Sequence, residues 1–272
     1  MRTNDNFVTL YGPWALVAGA SAGLGAAFAK RLALRGMNLV LIARREKELS
    51  LLGEKLAKKH AVSVRVLPMD LGSPDFLKEL VPKISGLDIG LLVYNATFPA
   101  IGEFLSQTME NHMKLIDVNC RAPVRLIHHF GALMRKRKTS GIILMSSMSA
   151  FQGTPLLSHY GASKAFILVL GEGLARELKK SGIDLLVCCA GATSTENFLR
   201  SLPSGRKMPR IPVMEPCDVA ERTLKALGSR DVYIPGMVNK LASFLMRRVM
   251  SRKAAVSIMQ SNAEKLYGEK NL

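Results

Sequence analysis

The sequence predicts an α/β fold: a doubly wound parallel sheet of about seven strands in a three-layer α/β/α arrangement. Three observations carry this. Seven short apolar runs, at 14–18, 38–43, 63–67, 89–94, 141–145, 183–189 and 231–234, alternate with segments of helical periodicity. Such alternation puts crossover helices on both faces of a parallel sheet. A glycine-rich turn separates the first run from the first helical segment. The chain of 272 residues is 48% hydrophobic, enough for a substantial core. No repeat, low-complexity tract or linker divides it, so residues 1–272 read as one domain.

The first strand leads into Ala18-Gly19-Ala20-Ser21-Ala22-Gly23-Leu24-Gly25. This turn opens a helix at 26–34, which Gly36 closes as a C-cap, and the second strand follows. Strand, glycine turn, helix and strand together place a pyrophosphate on a helix N-terminus, where free N–H groups and the dipole favour anions. The spacing is G-x3-G-x-G. Gly19, Ser21, Gly23, Leu24 and Gly25 are the expected dinucleotide contacts.

The second strand ends Ile42-Ala43-Arg44-Arg45, with no acid before Glu46. An acid there would bind ribose hydroxyls and repel a 2′-phosphate. A guanidinium instead matches phosphate geometry. The expectation is NADP(H), with Arg44 as main contact and Arg45 as helper, and NAD(H) as the second choice. The competing reading is that both arginines merely start a charged helix.

Asp70 follows the third strand and Asn95-Ala96 the fourth. A long helix carrying Asn119 ends in Arg135-Lys136-Arg137-Lys138, where cations offset the dipole. Ser147 follows the fifth strand. Tyr160 and Lys164 lie four apart, hence on one helix face. An ammonium beside a phenol favours the phenolate and lowers its pKa, which makes tyrosine an acid/base near neutral pH. His159 is adjacent to Tyr160 and so does not share its face, while His128 and His129 read as packing or surface residues. The segment 191–195 follows the sixth strand.

These residues, in this order, resemble the short-chain dehydrogenase/reductase family, in its single-domain branch, over roughly residues 11–236. The resemblance implies a Rossmann-type NAD(P)-binding domain with an integrated catalytic site. It implies that Asp70 contacts the adenine, and that Asn95-Ala96 is the end of an Asn-Asn-Ala-Gly motif beside the cofactor. Gly191, Thr193 and Thr195 would hold the nicotinamide carboxamide. The implied catalytic residues are Asn119, Ser147, Tyr160 and Lys164. Tyr160 would protonate a carbonyl oxygen as hydride reaches the carbon, and Ser147 would polarise that oxygen. Lys164 would lower the Tyr160 pKa and bond the nicotinamide ribose. Asn119 would hold a water that passes protons to Lys164. Three places depart from the pattern. Ala18 replaces a threonine whose hydroxyl would tie the loop to the fourth strand; Tyr94 and Thr97 flank Asn95-Ala96; Ala190 replaces a proline. Loop rigidity is what these departures put in question.

The chain has 38 Lys+Arg against 21 Asp+Glu, a net charge of +17. That favours anionic partners. Aromatics are only 6% and no recognition motif is present, so nucleic acid is not an expected partner. Cys120, Cys188, Cys189 and Cys217 have no zinc spacing, so no metal is assigned, and they read as reduced core thiols of a cytoplasmic protein. Cys188 and Cys189 are neighbours in a strand and should point to opposite faces. No segment reaches the ~20 apolar residues of a membrane span.

Residues 237–272 form an expected basic amphipathic helical extension. Val238, Leu241, Leu245, Val249, Val256 and Met259 recur at near-helical spacing beside Lys240, Arg247, Arg248, Arg252 and Lys253. Such a helix can pack in the core, act as a lid, or make peripheral contact with an anionic membrane. The segment 196–216, with Phe198, Leu199, Leu202, Met208, Ile211 and Val213, is expected to cover a substrate, and Pro203, Ser204, Gly205 and Pro209 suggest mobility. Residues 11–17 and the tail look like the branch containing long-chain 3-oxoacyl reductases and hydroxysteroid dehydrogenases. The resemblance thus implies an NADPH-dependent oxidoreductase of lipid metabolism. It would interconvert a ketone and a secondary alcohol on a bulky apolar, 3-oxoacyl or steroid-like substrate. It also implies a homodimer or homotetramer built through the helices carrying Asn119 and Tyr160. The alternative is a non-catalytic nucleotide-binding or membrane-surface interaction protein on the same fold.

Overall fold

Seven strands form one parallel sheet in the order β3-β2-β1-β4-β5-β6-β7. They are β1 (Trp14–Ala18), β2 (Asn38–Ala43), β3 (Val64–Pro68), β4 (Ile89–Tyr94), β5 (Ser140–Ser147), β6 (Ile183–Ala190) and β7 (Val232–Tyr233). A computed structural model describes residues 7–201 and 213–267 of the chain. Each expected strand is present; β1, β2 and β4 keep the expected bounds, and the other four shift at their ends. The third takes in Pro68, which an edge strand tolerates at its end. The fifth runs on to Ser147, which closes the strand rather than following it.

The helices are α1 (Phe7–Tyr11), α2 (Gly23–Ala33), α3 (Glu46–His60), α4 (Phe76–Lys83), α5 (Met109–Ile116), α6 (Ala122–Met134), α7 (Ser158–Lys179), α8 (Glu196–Ser201), α9 (Pro216–Ala226), α10 (Met237–Phe244) and α11 (Arg252–Tyr267). Strand residues alternate between two apolar layers. On one face Val17, Leu41, Val93 and Cys188 pack with Phe28 and Leu32 of α2, Leu49 of α3 and Leu224 of α9. On the other face Leu16, Ile42, Leu92 and Cys189 pack with Phe76 of α4, Phe130 of α6 and Ile167 of α7. The two neighbouring cysteines divide between the faces as expected.

The strand order reverses between β1 and β4, and the carboxyl ends of these strands flank the crevice where open α/β sheets bind ligands. Helix α7 lies close on the sheet beside this crevice. A Cβ at Gly171 would come within 2.1 Å of Val187 Cγ2, so only glycine permits this approach. The basic run 135–138 falls just beyond α6, where Arg137 pairs with Asp88.

The tail departs from the expected single helix. After α10 and a π-turn at Leu245–Val249, Met250 takes an extended conformation (φ −88°, ψ 149°), and α11 begins anew. Ser251 Oγ accepts from the Ala254 N–H at 3.2 Å, an N-cap that restarts the helix. Among the described residues no helix is long and apolar enough to cross a membrane. Leu202, Pro203, Ser204, Gly205, Met208, Pro209 and Ile211 lie outside the described residues.

Candidate active site

The glycine turn and the start of α2 form one end of the site. Helix α2 begins after Ala22 with no side-chain cap and no acid in its first turn, which leaves its N–H groups and positive end available to an anion. The turn is held by close backbone approach. A Cβ at Gly25 would stand 1.9 Å from Gly19 O, and Gly19 itself has φ +83° with a would-be Cβ 2.6 Å from the Ala96 backbone. This cradle of N–H groups and missing side chains fits a pyrophosphate. Ala18 offers no hydroxyl, yet the loop is fastened. Asn95 Nδ2 donates to Gly19 O at 3.0 Å, and the Gly19 and Ala20 N–H groups donate to Ile42 O at 2.7 and 3.1 Å.

The two arginines differ. Arg44 is exposed. Arg45 turns toward the loop, with Nε 3.3 Å from Ser21 Oγ and a terminal nitrogen 3.2 Å from Glu196 and 3.5 Å from Glu48. The expected order, Arg44 before Arg45, is therefore not the order of proximity to the loop. Asp70 accepts from the Gly72 N–H at 3.0 Å and stands 3.6 Å from Lys114 Nζ, so it fixes the turn after β3.

Ser147, Tyr160 and Lys164 converge on a cavity of about 470 Å³, which Gly23, Leu24, Asn95, Gly191, Thr193 and Thr195 also line. Ser147 Oγ accepts from the N–H and the hydroxyl of Ser149, at 3.2 and 3.0 Å. Lys164 is buried. Its Nζ donates to Met145 O at 3.1 Å and lies 5.5 Å from the Tyr160 ring centroid.

The expected depression of the Tyr160 pKa is not found. Burial pushes the phenol up to about 12, the nearby Tyr267 phenol adds to this, and a hydrogen bond with Ser147 opposes it. Burial also pulls the Lys164 ammonium down to about 8, against opposing pulls from Cys120 and Cys189. Loss of water is the largest cause of both shifts. Tyr160 consequently stays protonated at neutral pH.

Asn119 sits in a π-turn, Asp117–Arg121, between α5 and α6. Its Oδ1 accepts from Phe98 N at 2.8 Å and Thr97 Oγ1 at 3.3 Å; its Nδ2 donates to Phe98 O at 3.2 Å and Ser163 Oγ at 3.0 Å. A primary amide offers two acceptor sites and two donors. All are taken, so this side chain positions α7 and has no capacity left for the expected water. His159 turns instead to a second histidine, with Nδ1 2.8 Å from His112 Nδ1. His112 Nε2 lies 3.0 Å from Phe104 O. A carbonyl only accepts, so His112 Nε2 donates and the bond to His159 Nδ1 is donated by His159.

Sequence reasoning missed much of the cavity's far wall. Helix α10 supplies Ala242, the π-turn after it Met246, and α11 Met259, Asn262, Leu266 and Tyr267. Asn239 is buried against Gly191, where a Cβ would come within 2.7 Å of its Nδ2, and it donates to Pro235 O at 2.9 Å. A polar residue between Val238 and Leu241 in an apolar repeat was the available signal. Phe198 also lines the cavity, while Leu199 is exposed.

The sequence model of the short chain dehydrogenase family matches residues 13–203. The chain is 32% identical over 235 residues to 7beta-hydroxysteroid dehydrogenase of Clostridium sardiniense, covering 86% of this chain and 90% of that one. It is 35% identical over 181 residues to very-long-chain 3-oxoacyl-CoA reductase of Pyricularia oryzae, covering 64% and 54%. A solved structure described for 7beta-hydroxysteroid dehydrogenase stereoselectivity superposes with TM-score 0.87 at 28% identity, covering 93% and 98%. A short-chain dehydrogenase of Sphingobium yanoikuyae in complex with NADPH gives TM-score 0.75 at 32% identity, covering 88% and 98%. Both branches named by the sequence resemblance are thus among the relatives.

The buried lysine makes a pH prediction. Its folded pKa, about 8, lies below its ordinary 10.5. Between these values the unfolded chain binds more protons, so stability rises with pH. Tyr160 has a raised pKa, so its opposing slope begins only above its ordinary 10. Thermal melts of wild type and Lys164→Met should therefore diverge in favour of wild type from about pH 8 to pH 10. A difference in Tm that is constant over this window would count against a buried, depressed Lys164.

Proposed function

The chain belongs to the short chain dehydrogenase family, and on that premise we propose that it is an NADPH-dependent oxidoreductase interconverting a ketone and a secondary alcohol on a bulky apolar substrate, steroid-like or 3-oxoacyl. The carrying observation is the convergence of Ser147, Tyr160 and Lys164 on one cavity whose other walls are mainly apolar. A cavity of this size suits a small-molecule substrate. The relatives act, by their names, on hydroxysteroids and on very-long-chain 3-oxoacyl-CoA, which supports this substrate class.

Bound NADPH would supply hydride to the carbonyl carbon. The chain's own groups handle the oxygen. Ser147 Oγ already accepts twice from Ser149, so its own proton, directed at the Tyr160 oxygen in the empty cavity, would turn to the carbonyl oxygen. That donor is in place before negative charge develops. Tyr160, protonated at neutral pH, gives its proton to the same oxygen as the alcohol forms. The intact set argues against the non-catalytic alternative. Residues 1–272 act as one catalytic unit, and the described part of the extension, 237–267, walls its cavity.

The Arg44-Arg45 pair and the NADPH complex of a related dehydrogenase support NADPH over NADH. The 2′-phosphate would draw Arg45 from its acidic partners and engage the exposed Arg44. Reduced thiols, with Cys188 and Cys189 buried and free, support a cytoplasmic setting.

Two surfaces support partners. Val124 and Leu133 of α6 and Phe166 and Val169 of α7 are exposed, which favours a homodimer or homotetramer through these helices. On the tail, Met237, Leu241, Phe244, Leu245 and Val249 are exposed beside Arg248, Arg252 and Lys253, a combination that fits peripheral contact with anionic lipid.

Tyr160→Phe should lower ketone reduction at least a thousandfold while NADPH still binds, because the ring is kept and only the transferable proton is lost. Turnover near that of wild type would refute the chemistry. Arg44→Asp and Arg45→Asp should each weaken NADPH far more than NADH in a binding titration. Wild-type protein that binds both cofactors equally would end the NADPH reading. With lipid vesicles, full-length protein should co-sediment in proportion to anionic lipid and be released by salt, since exposed charges are screened over roughly 8 Å at physiological ionic strength. Deleting residues 239–272 should abolish this. Absence of lipid-dependent sedimentation at low salt, with a dimeric or tetrameric mass in the same samples, would leave self-association as the only use of these surfaces.

A further inference from the structure

One of the two arginines expected beside a 2′-phosphate is already held by carboxylates. Arg45 Nε lies 3.3 Å from Ser21 Oγ on the glycine loop, and one terminal nitrogen stands 3.2 Å from Glu196 and 3.5 Å from Glu48. The two acids differ in what they tie down. Glu48 lies on α3, the helix that starts after Arg45, so its contact stays within one helix start. Glu196 is 151 residues away and opens α8, just after the segment 191–195.

A carboxylate and a phosphate compete for the same guanidinium donors. A phosphate brings more charge and three acceptor oxygens, whereas a ribose hydroxyl brings no charge. The tie to Glu196 is also easily exchanged. Arg45, Glu48 and Glu196 each keep a third to a half of the side chain in water, and ion pairs so exposed are weak.

Helix α8 carries this exchange toward the chamber. Its first turn hangs on Thr195, whose Oγ1 accepts from Phe198 N at 3.2 Å and whose carbonyl accepts from Leu199 N at 2.9 Å. Phe198 lines the cavity that Ser147 and Tyr160 share. The Arg45–Glu196 pair therefore ties the end of β2 to the short helix that presents a wall of the cavity.

We infer that Glu196 is a specificity-determining residue: it occupies Arg45 in place of a 2′-phosphate, so that NADPH, and not NADH, frees α8 from this tie on binding. This deepens the proposed cofactor preference and rests on it. By linkage, a substrate that favours the freed α8 tightens NADPH by the same factor by which NADPH tightens the substrate.

Calorimetric titration of full-length protein with adenosine 2′,5′-bisphosphate and with adenosine 5′-monophosphate isolates the 2′-phosphate without turnover. Glu196→Gln keeps the shape of the side chain and removes its charge. It should tighten the bisphosphate roughly two- to fivefold, the range of an exposed ion pair, and leave the monophosphate unchanged. In an Arg45→Gln background the same substitution should gain nothing, because the competition runs through Arg45. Hydrogen exchange at the Phe198 and Leu199 amides should quicken when the bisphosphate, but not the monophosphate, is added to wild type. In Glu196→Gln it should be quick from the start and unresponsive. A gain that persists without Arg45 would mean repulsion through space, and a loss of bisphosphate affinity in Glu196→Gln would mean an acid that only orients Arg45. Either overturns the inference, as does exchange in α8 that ignores the 2′-phosphate. The cofactor preference fails separately, if wild type binds both nucleotides equally. Glu196→Gln then still decides: a preference for the bisphosphate that emerges in the variant upholds the competition, and equal binding in the variant dismisses it.

Discussion

The register of α7 against β5 is the constraint on which the site depends. Ser146 Oγ donates to the Lys164 carbonyl at 2.8 Å, and Lys164 Nζ returns a bond to the Met145 carbonyl. Strand and helix are thereby stitched at one level, and Ser147, the next residue along the strand, comes to the wall that Tyr160 shares. Gly161 lets the Ser149 carbonyl approach to 3.1 Å of a would-be Cβ, and Gly171 lets the same helix press onto Val187. Asn119 adds a third stitch through Ser163, whose hydroxyl donates to the Tyr160 carbonyl at 2.7 Å. A lysine so used is expensive. Its charge is held in a buried place, and its lowered pKa records the cost.

The departures from the family pattern are absorbed by neighbouring bonds. Asn95 does for the glycine loop what a hydroxyl at position 18 would have done, by donating to Gly19 O from the end of β4. Tyr94 brings a ring where an asparagine is usual, and its hydroxyl donates to the Val118 carbonyl. That bond runs from β4 to the π-turn that presents Asn119. The end of the fourth strand therefore supports both the glycine loop, through Asn95, and the π-turn that carries Asn119, through Tyr94.

The fold was legible because burial on both faces leaves a strand little choice but continuous apolar residues, and these runs stood out at 38–43 and 89–94. The loop and the Ser147, Tyr160 and Lys164 set were legible because their chemistry needs fixed spacing. What stayed hidden depends on geometry that spacing does not encode. The Tyr160 pKa turns on how much water the cavity walls exclude, and the sign of the shift reversed accordingly. Which of Arg44 and Arg45 faces the loop depends on the turn into α3 and on Glu196, which lies 151 residues away. The break in the tail was written in Ser251, a capping residue, but the apolar recurrence across it suggested one continuous helix.

The tail changes what the site can be. Without it, Ser147 and Tyr160 would stand at the edge of an open crevice. With it, α10 docks through Asn239 on Gly191, in the segment expected to hold the nicotinamide, while α11 closes the far side with Met259, Leu266 and Tyr267. Tyr267 is close enough to raise the Tyr160 pKa, so this wall of the cavity acts on the phenol opposite it. Arg247 lies over the Phe151 ring at 4.4 Å and pins the π-turn of the tail to the loop between the serine and the tyrosine. The segment 191–195, the loop between Ser147 and Tyr160, and the tail are therefore one packed unit. A molecule that filled the chamber would therefore press on the same tail that packs on Gly191.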